Sequence, residues 1–439
     1  MKIGAIGFAA EINRYVEEHG EIVIGLAGTG QMGTDIVVQC SMMPGVRIGA
    51  ISEIRTDNAL AAVEMAGHSR DSVTAAATSD QVDAAIEKGR IALTEDFDVL
   101  CGAGRIDVVI DATGNPEIGT RIALAAMKNG KHVVMLNVEA DITIGRFLKQ
   151  EARRAGVVYT GAAGDEPAAT LELISFAQSL GLDIVCAGKG KNNPLNFSAV
   201  PADYEEEARR RNMNARMLVE FVDGSKTMIE MTAIAQATGL VPDVAGMHGP
   251  AATRDELAGV LCEKADGGLL SKAGCVDYSI GKGIAPGVFC VVKPKHPRVL
   301  ERFVDLKVGP GPCFALFRPY HLTSLEVPLS AIRAVVRKEP DMQPLDRPVA
   351  ECVTIAKRDL APGDRLGKIG ETDYRAFAVT AEQATSGRGL PLGLAEGATV
   401  TRPVKSGEAI TYDNARADET MLVARIRRDL EAADARLVA

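Results

Sequence analysis

An open α/β architecture, a doubly wound parallel sheet with further domains behind it, is predicted by three observations. The apolar run Ile22-Val23-Ile24 leads directly into Gly25 to Asp35, which reads GLAGTGQMGTD. A helical pattern over Gln31 to Gln39 and a second apolar run, Val46 to Ser52, complete a strand–helix–strand unit. Apolar runs then keep alternating with helical patterns: Val108-Ile110 with Ile118 to Lys128, Val133-Met135 with Ile142 to Ala155, and Val157-Tyr159 with Leu171 to Leu180. Strands read this way when both faces of a parallel sheet are covered, as in a Rossmann-type fold.

Gly28, Gly30 and Gly33 form a GxGxxG between the first strand and the first helix. The first glycine makes the tight turn, the second lets the backbone approach a pyrophosphate, and the third lets helix and strand pack closely. Thr29, Gln31 and Met32 fill the intervening positions, at the helix N-terminus where phosphates bind. The segment is therefore expected to bind a dinucleotide. Glu53, at the end of the second strand, would take a ribose diol and favour NAD, whereas Arg55 would take a 2′-phosphate and favour NADP. Local chemistry leaves that choice open. Asp111 to Pro116, with Thr113 and Gly114, follows a later strand and is placed for the nicotinamide half of the cofactor.

The 439 residues exceed what one core serves, so two or three domains are expected. Hydrophobic residues at 46% and charged residues at 24% describe a globular chain, and a net charge of -9 leaves no basic stripe for nucleic acid. The eight cysteines are scattered without metal spacing and read as buried thiols of a reducing cytoplasm. Met1 to Gly20 lacks the pattern of a secretory signal, and Ile12, Tyr15 and Val16 suggest a short leading helix. No stretch reaches transmembrane length.

From Asp183 the character changes. A strand over Ile184 to Ala187 runs into Gly188 to Asn196, where Lys189, Lys191, Asn192 and Asn193 gather cationic and amide donors. Such a loop suits a phosphate or polyol, the alternative being a basic surface turn. Tyr204 to Asn214 reads as a charged helix, and a further helix runs to Ala235 with Lys226 and Glu230 on one face. Asp165 and Glu166 are candidates for holding a divalent cation such as Mg²⁺ or Mn²⁺, or are favourable charges at a helix start. Of His248 and His321, the latter is the better catalytic candidate, being beside Arg318, Tyr320 and Thr323.

Past Pro344 and Pro348 the chain breaks into short strands and turns at 353–356, 360–364, 390–393 and 404–410, a compact β-rich module. The expected division is thus a dinucleotide-binding domain over 1–165, with helices regained from 320–345, then an α+β middle domain over 166–345. A small β-rich domain over 346–439 follows, with a C-terminal helix.

The motifs AGTGQMGTD, IDATGNPEIG, NVEADITIG, GAAGDEPA, GKGKNNPLNF, RRNMN, DGSKTMIEM, GMHGP, VDYSIGKG, PGVF and RPYHLTSLEVP lie between Ala27 and Pro328, and the likeness they carry covers Gly25 to about Asn414. Through them the chain resembles the deoxyxylulose-phosphate reductoisomerase-like (DRL-type) enzymes, a family related to homoserine dehydrogenases and carrying a C-terminal module of the SAF type. The resemblance implies conversion of 1-deoxy-D-xylulose 5-phosphate to 2-C-methyl-D-erythritol 4-phosphate with NADPH, in a homodimer. It implies a middle domain serving both catalysis and dimerisation. Lys226 resembles the lysine that polarises the substrate carbonyl and protonates the alkoxide in homoserine dehydrogenases. The asparagine–lysine pair of their cofactor domain reads Asn137-Val138 here, leaving Asn137 as the cofactor contact. Lys189, Lys191, Asn192, Asn193 and Arg318 are expected at the substrate. A dehydrogenase or oxidoisomerase of another sugar, or of a branched sugar acid, and a non-catalytic dinucleotide sensor are the competing readings.

Overall fold

A computed structural model describes residues 4–211 and 213–438; Asn212, inside the expected charged helix and the RRNMN motif, lies outside the described residues. The chain forms two compact units, each described by itself.

The first unit comprises Met1–Asp165 and Leu322–Gln343. Its sheet holds β1 (Ile22–Ala27), β2 (Val46–Ser52), β3 (Val73–Ala75), β4 (Ile91–Thr94), β5 (Val108–Asp111), β6 (His132–Met135) and β7 (Tyr159–Gly161). They are all parallel, in the order β3-β4-β2-β1-β5-β6-β7. The order reverses between β1 and β5, which creates a crevice at the carboxyl ends of these two strands. β7 begins two residues later than the apolar run suggests. The helix Val138–Ala155 ends on Gly156 at φ 69, and Val157 N bonds back to Ala152 O, so Val157 belongs to the cap of that helix.

The leading helix Phe8–His19 and the returning helix Val327–Val336 both pack on this core. Ile12, Val327, Ala331, Ile332 and Val335 share one apolar cluster with β1 and β2, and Arg337 forks onto Glu11 at 2.7 and 2.8 Å. Burial of this helix stripe is what returns residues 322–343 to the first unit.

The second unit comprises Glu166–His321 and Pro344–Ala439. It contains β8 (Asp183–Lys191), β9 (Val241–Pro242), β10 (Cys275–Ile280), β11 (Val288–Lys293) and β12 (Phe314–Arg318), in the order β12-β11-β8-β10-β9. β8, β10 and β9 run parallel, while β11 is antiparallel to both its neighbours. Further strands are β13 (Ala350–Ala356), β14 (Tyr374–Thr380), β15 (Thr399–Val400), β16 (Ala409–Ile410) and β17 (Ala415–Arg416). β14-β13-β16 and β15-β17 form two small antiparallel sheets. Of the expected short strands and turns, 353–356 lies in β13, 360–364 is a turn, and 390–393 enters the 3-10 turn Leu392–Leu394. Within 404–410 only Ala409–Ile410 is a strand.

The helix Ser225–Thr238 is buried on nearly every side because it packs on the helix Glu166–Ser179, on β10, and on β13 and β14. One helix thus joins the middle segment to the β-rich segment, which group as a single unit with no separation near residue 345. The chain ends in the helix Leu422–Val438. All eight cysteines are free and buried. Among the described residues no helix is long and apolar enough to cross a membrane.

Candidate functional site

The glycine fingerprint sits at the carboxyl end of β1. Gly28 adopts φ +91, in the left-handed region, and a Cβ on Gly33 would stand 2.1 Å from Gly28 O. A Cβ on Gly30 would meet no protein atom within 4 Å, so packing within the chain does not require a glycine there. In this motif the second glycine serves instead to let the protein backbone approach a pyrophosphate. The helix Gln31–Met42 opens on Gly30 without a side-chain cap, and its first N–H groups face the position a pyrophosphate takes in this motif. The residues fit a dinucleotide.

Glu53 is buried, and it anchors this loop. Its Oε2 accepts from Thr29 N at 2.8 Å and from Thr29 Oγ1 at 2.9 Å, while its Oε1 accepts from Arg55 N at 2.9 Å. Arg55 itself is exposed. Across the crevice, Asp111 is fully buried and accepts from Thr113 N at 3.0 Å and Thr113 Oγ1 at 2.6 Å. Burial raises the Asp111 carboxyl, against the pull of these donors. Asn137 caps the helix Val138–Ala155 by accepting from Ala140 N at 3.1 Å, and it donates to Asp111 at 3.4 Å. Thr113 and Asn137, expected to touch cofactor, therefore direct their side chains to Asp111. Gly114, at φ +65 with open space around its Cβ position, leaves only backbone at that point.

In the second unit a chain of ionisable groups has three buried members, Glu230, Lys189 and Glu166, between two partly buried ends, Lys226 and His321. Lys189 Nζ lies 2.5 Å from Glu166 Oε1 and bonds Glu230 Oε2 on its other side. Lys226 Nζ stands 3.6 Å from Glu230 Oε1, and His321 Nε2 stands 3.4 Å from Glu166 Oε1. The order is Lys226–Glu230–Lys189–Glu166–His321. Burial alone would lower the Lys189 pKa, but the two carboxylates reverse this and raise it. Lys226 is partly buried, with 22% of its side chain exposed, so it is not a surface lysine. Asp165, which closes the first segment of the first unit, is also buried.

The expected loop over Gly188 to Asn196 begins as strand, because β8 continues to Lys191 in register with β10. Lys189 and Lys191, two residues apart, therefore point to one face. Their fates differ. Lys189 is enclosed by carboxylates and is not free to clamp a phosphate, whereas among the described residues Lys191 donates to Asn193 Oδ1 at 2.7 Å and to Phe221 O. Burial first, and the Lys189 charge second, push the Lys191 pKa down to about 8. Asn192 is exposed. Arg318 pairs with Glu172 at 3.0 Å and stacks over Tyr320, so its charge is matched within the chain. His248 bonds Asp243 at 2.9 Å, and its backbone N–H donates to Asp277, a structural arrangement that leaves His321 as the histidine of the network.

Sequence reading placed Glu230 on one helix face with Lys226 without giving it a role, and it did not single out Arg375. Glu230 carried a signal: an acidic residue in the middle of TMIEMTAIA, on a helix too apolar to face water. Arg375 carried none, since it reaches the neighbourhood of Phe197 only through the tertiary fold.

The family model for the catalytic domain of oxidoreductase DRL matches residues 164–327. That for the NAD binding domain of homoserine dehydrogenase matches residues 45–160, a region beginning beyond the glycine fingerprint, so match and motif are separate observations. No curated protein matches the sequence. Among solved structures the chain is similar to a probable dehydrogenase from Thermotoga maritima, at 15% identity over 73% of this chain and 90% of that one, with a TM-score of 0.41. It is also similar to scyllo-inositol dehydrogenase from Lactobacillus casei with bound NAD(H) and scyllo-inositol, at 14% identity over 67% and 76% of the chains, with a TM-score of 0.35. Likeness at this level carries no argument. The two domain matches, with the fingerprint geometry, make the protein an NAD(P)-dependent oxidoreductase.

Proposed function

We propose that the protein reduces the carbonyl of a small phosphorylated hydroxyketone or hydroxyaldehyde, or oxidises the corresponding polyol phosphate, with proton exchange through Lys226 and Glu230. The observation that carries this reading is the chain Lys226–Glu230–Lys189–Glu166–His321. A bound nicotinamide supplies or accepts the hydride. The alkoxide left by reduction needs a proton, and an ammonium held against a buried carboxylate is a suitable donor. Lys189 balances both glutamates, and His321 joins the far end, so a proton lost by Lys226 has ionisable groups from which to be replaced.

Among the nicotinamide cofactors we read NADPH as preferred. The Glu53 carboxylate is engaged by three loop donors, while exposed Arg55 stands next to it for a 2′-phosphate. No step is routed through a divalent cation, because the Lys189 ammonium already stands between Glu166 and Glu230.

The second reading is reductoisomerisation of 1-deoxy-D-xylulose 5-phosphate, favoured by the match to the DRL catalytic domain. By the same resemblance we read residues 346–439 as a SAF-like module and the protein as a homodimer. Purified protein with NADPH or NADH, offered deoxyxylulose phosphate and other sugar phosphates beside their phosphate-free forms, tests both readings. Turnover confined to phosphate-free substrates would refute the phosphorylated class. Turnover of other sugar phosphates without deoxyxylulose phosphate would refute the second reading.

A further inference from the structure

Arg375 lies on β14, and its guanidinium carbon is 4.3 Å from the centroid of the Phe197 ring and 5.2 Å from that of Phe377. Its hydrogen bond is a weak one, from Nη1 to the neighbouring Ala376 O at 3.4 Å, and among the described residues no carboxylate lies within ion-pair distance. A half-buried guanidinium without a counter-ion is costly to keep. Its surroundings lower the Arg375 pKa, chiefly by desolvation. The aromatic rings fix the plane of the fork without meeting its charge. Phe197 is 48% exposed, so the stack is open to solvent.

Lys191 is the second cation with neutral partners; it donates to Phe221 O, while Asn196 N donates to the next carbonyl, Val222 O, at 2.9 Å and Phe197 beneath Arg375 follows Asn196, which places both cations around one stretch of backbone. Asp223 does not satisfy either. Its carboxylate accepts from Ser225 N at 2.9 Å and pairs with Lys357 Nζ at 3.1 Å. The Arg375 charge also acts on the buried Tyr278, which pairs in register with Lys189. The other expected phosphate ligands, Lys189 and Arg318, are matched by Glu166, Glu230 and Glu172.

We propose that Arg375 and Lys191 form the subsite that takes the phosphate monoester of the substrate, so that the β-rich segment supplies a specificity-determining residue. This rests on the hydride-transfer reading above for its connection to catalysis, but not for the binding itself. A guanidinium held flat presents two parallel N–H donors to two phosphate oxygens, and the ammonium of Lys191 adds a point charge to a third.

The test is calorimetric titration of the full chain with glycerol 3-phosphate, with glycerate as a carboxylate of similar length. Saturable binding of glycerol 3-phosphate is expected, weakened roughly tenfold to a hundredfold in Arg375→Met and in Lys191→Met, and partly restored in Arg375→Lys. Where Arg375→Met does not fold, Arg375→Gln carries the same comparison. Equal affinity in the wild type and the Arg375 variant, absence of saturable binding by the wild type, or glycerate binding as tightly as the phosphate would overturn the proposal. NADPH binding to the same proteins, followed by nucleotide fluorescence, separates the two readings. Nucleotide bound without glycerol phosphate removes the subsite and leaves hydride transfer standing.

Discussion

Lys189 Nζ lies 2.5 Å from Glu166 Oε1, and both side chains are at least nine-tenths buried. With Glu230 on the other side of the same ammonium, the site holds its own cation where two carboxylates converge. Removing that cation leaves two buried carboxylates facing each other.

Lys189→Met is therefore expected to destabilise the protein by about 3–5 kcal/mol at neutral pH, the penalty for uncompensated buried charge. Urea denaturation at pH 7 and pH 5 measures it. The loss should shrink at the lower pH, as Glu166 and Glu230 take up protons in the variant, and Glu230→Gln in the same background should recover part of it. Unchanged stability at pH 7 would show that the two glutamates do not depend on this ammonium.

Lys226→Ala is expected to lower kcat by roughly 10²–10⁴-fold while leaving dinucleotide affinity unchanged, because general acid catalysis is lost but the cofactor loop is untouched. Single-turnover rates with a hydride acceptor, beside NADPH titration, separate the two effects. A change in KM alone would move Lys226 from proton transfer to substrate binding.

Glu53→Ala removes the acceptor for Thr29 N, Thr29 Oγ1 and Arg55 N at once. Both NADH and NADPH should then bind roughly tenfold more weakly or worse, since the glycine loop loses its anchor. Glu53→Gln keeps an acceptor for Thr29 without the charge, and should shift the ratio of affinities toward NADPH. An alanine variant that binds NADPH better than the wild type would show that repulsion, not anchoring, dominates at this position.

Asp141 is buried and accepts from Tyr159 Oη at 2.6 Å, and burial raises its carboxyl from 3.8 to about 6. Between those values the folded chain holds a proton that the unfolded chain has released. Stability contributed by this group is thus greatest below pH 3.8, falls as pH rises through the window, and stays low above about 6. Asp141→Asn should be more stable than the wild type at pH 7, by on the order of 2 kcal/mol, and no more stable at pH 4. Thermal unfolding across that range gives the comparison, and a variant equally favoured at both pH values would exclude the linkage.

The cofactor-binding unit was legible in the sequence because its signals are local. Glycines at 28, 30 and 33 answer to turn geometry and close packing, and apolar runs of parallel strands announce themselves wherever both faces are buried. Even there, the helix cap at Gly156 moved β7, and the hydrogen bonds by which Glu53, Thr113 and Asn137 support the loops around the crevice are visible only in the structure. In the second unit the sequence supplied the lysines but not their roles. Lys189 and Lys191 stand two residues apart in one motif, and only the packing of the helices Glu166–Ser179 and Ser225–Thr238 gives one of them two carboxylates while the other meets an amide and a backbone carbonyl. Arg375 reaches Phe197 across 178 positions of chain, a meeting fixed by long-range packing of β14 on the helix Ser225–Thr238. Charge pairing at such separations depends on which surfaces exclude water together, and that is decided by the tertiary structure.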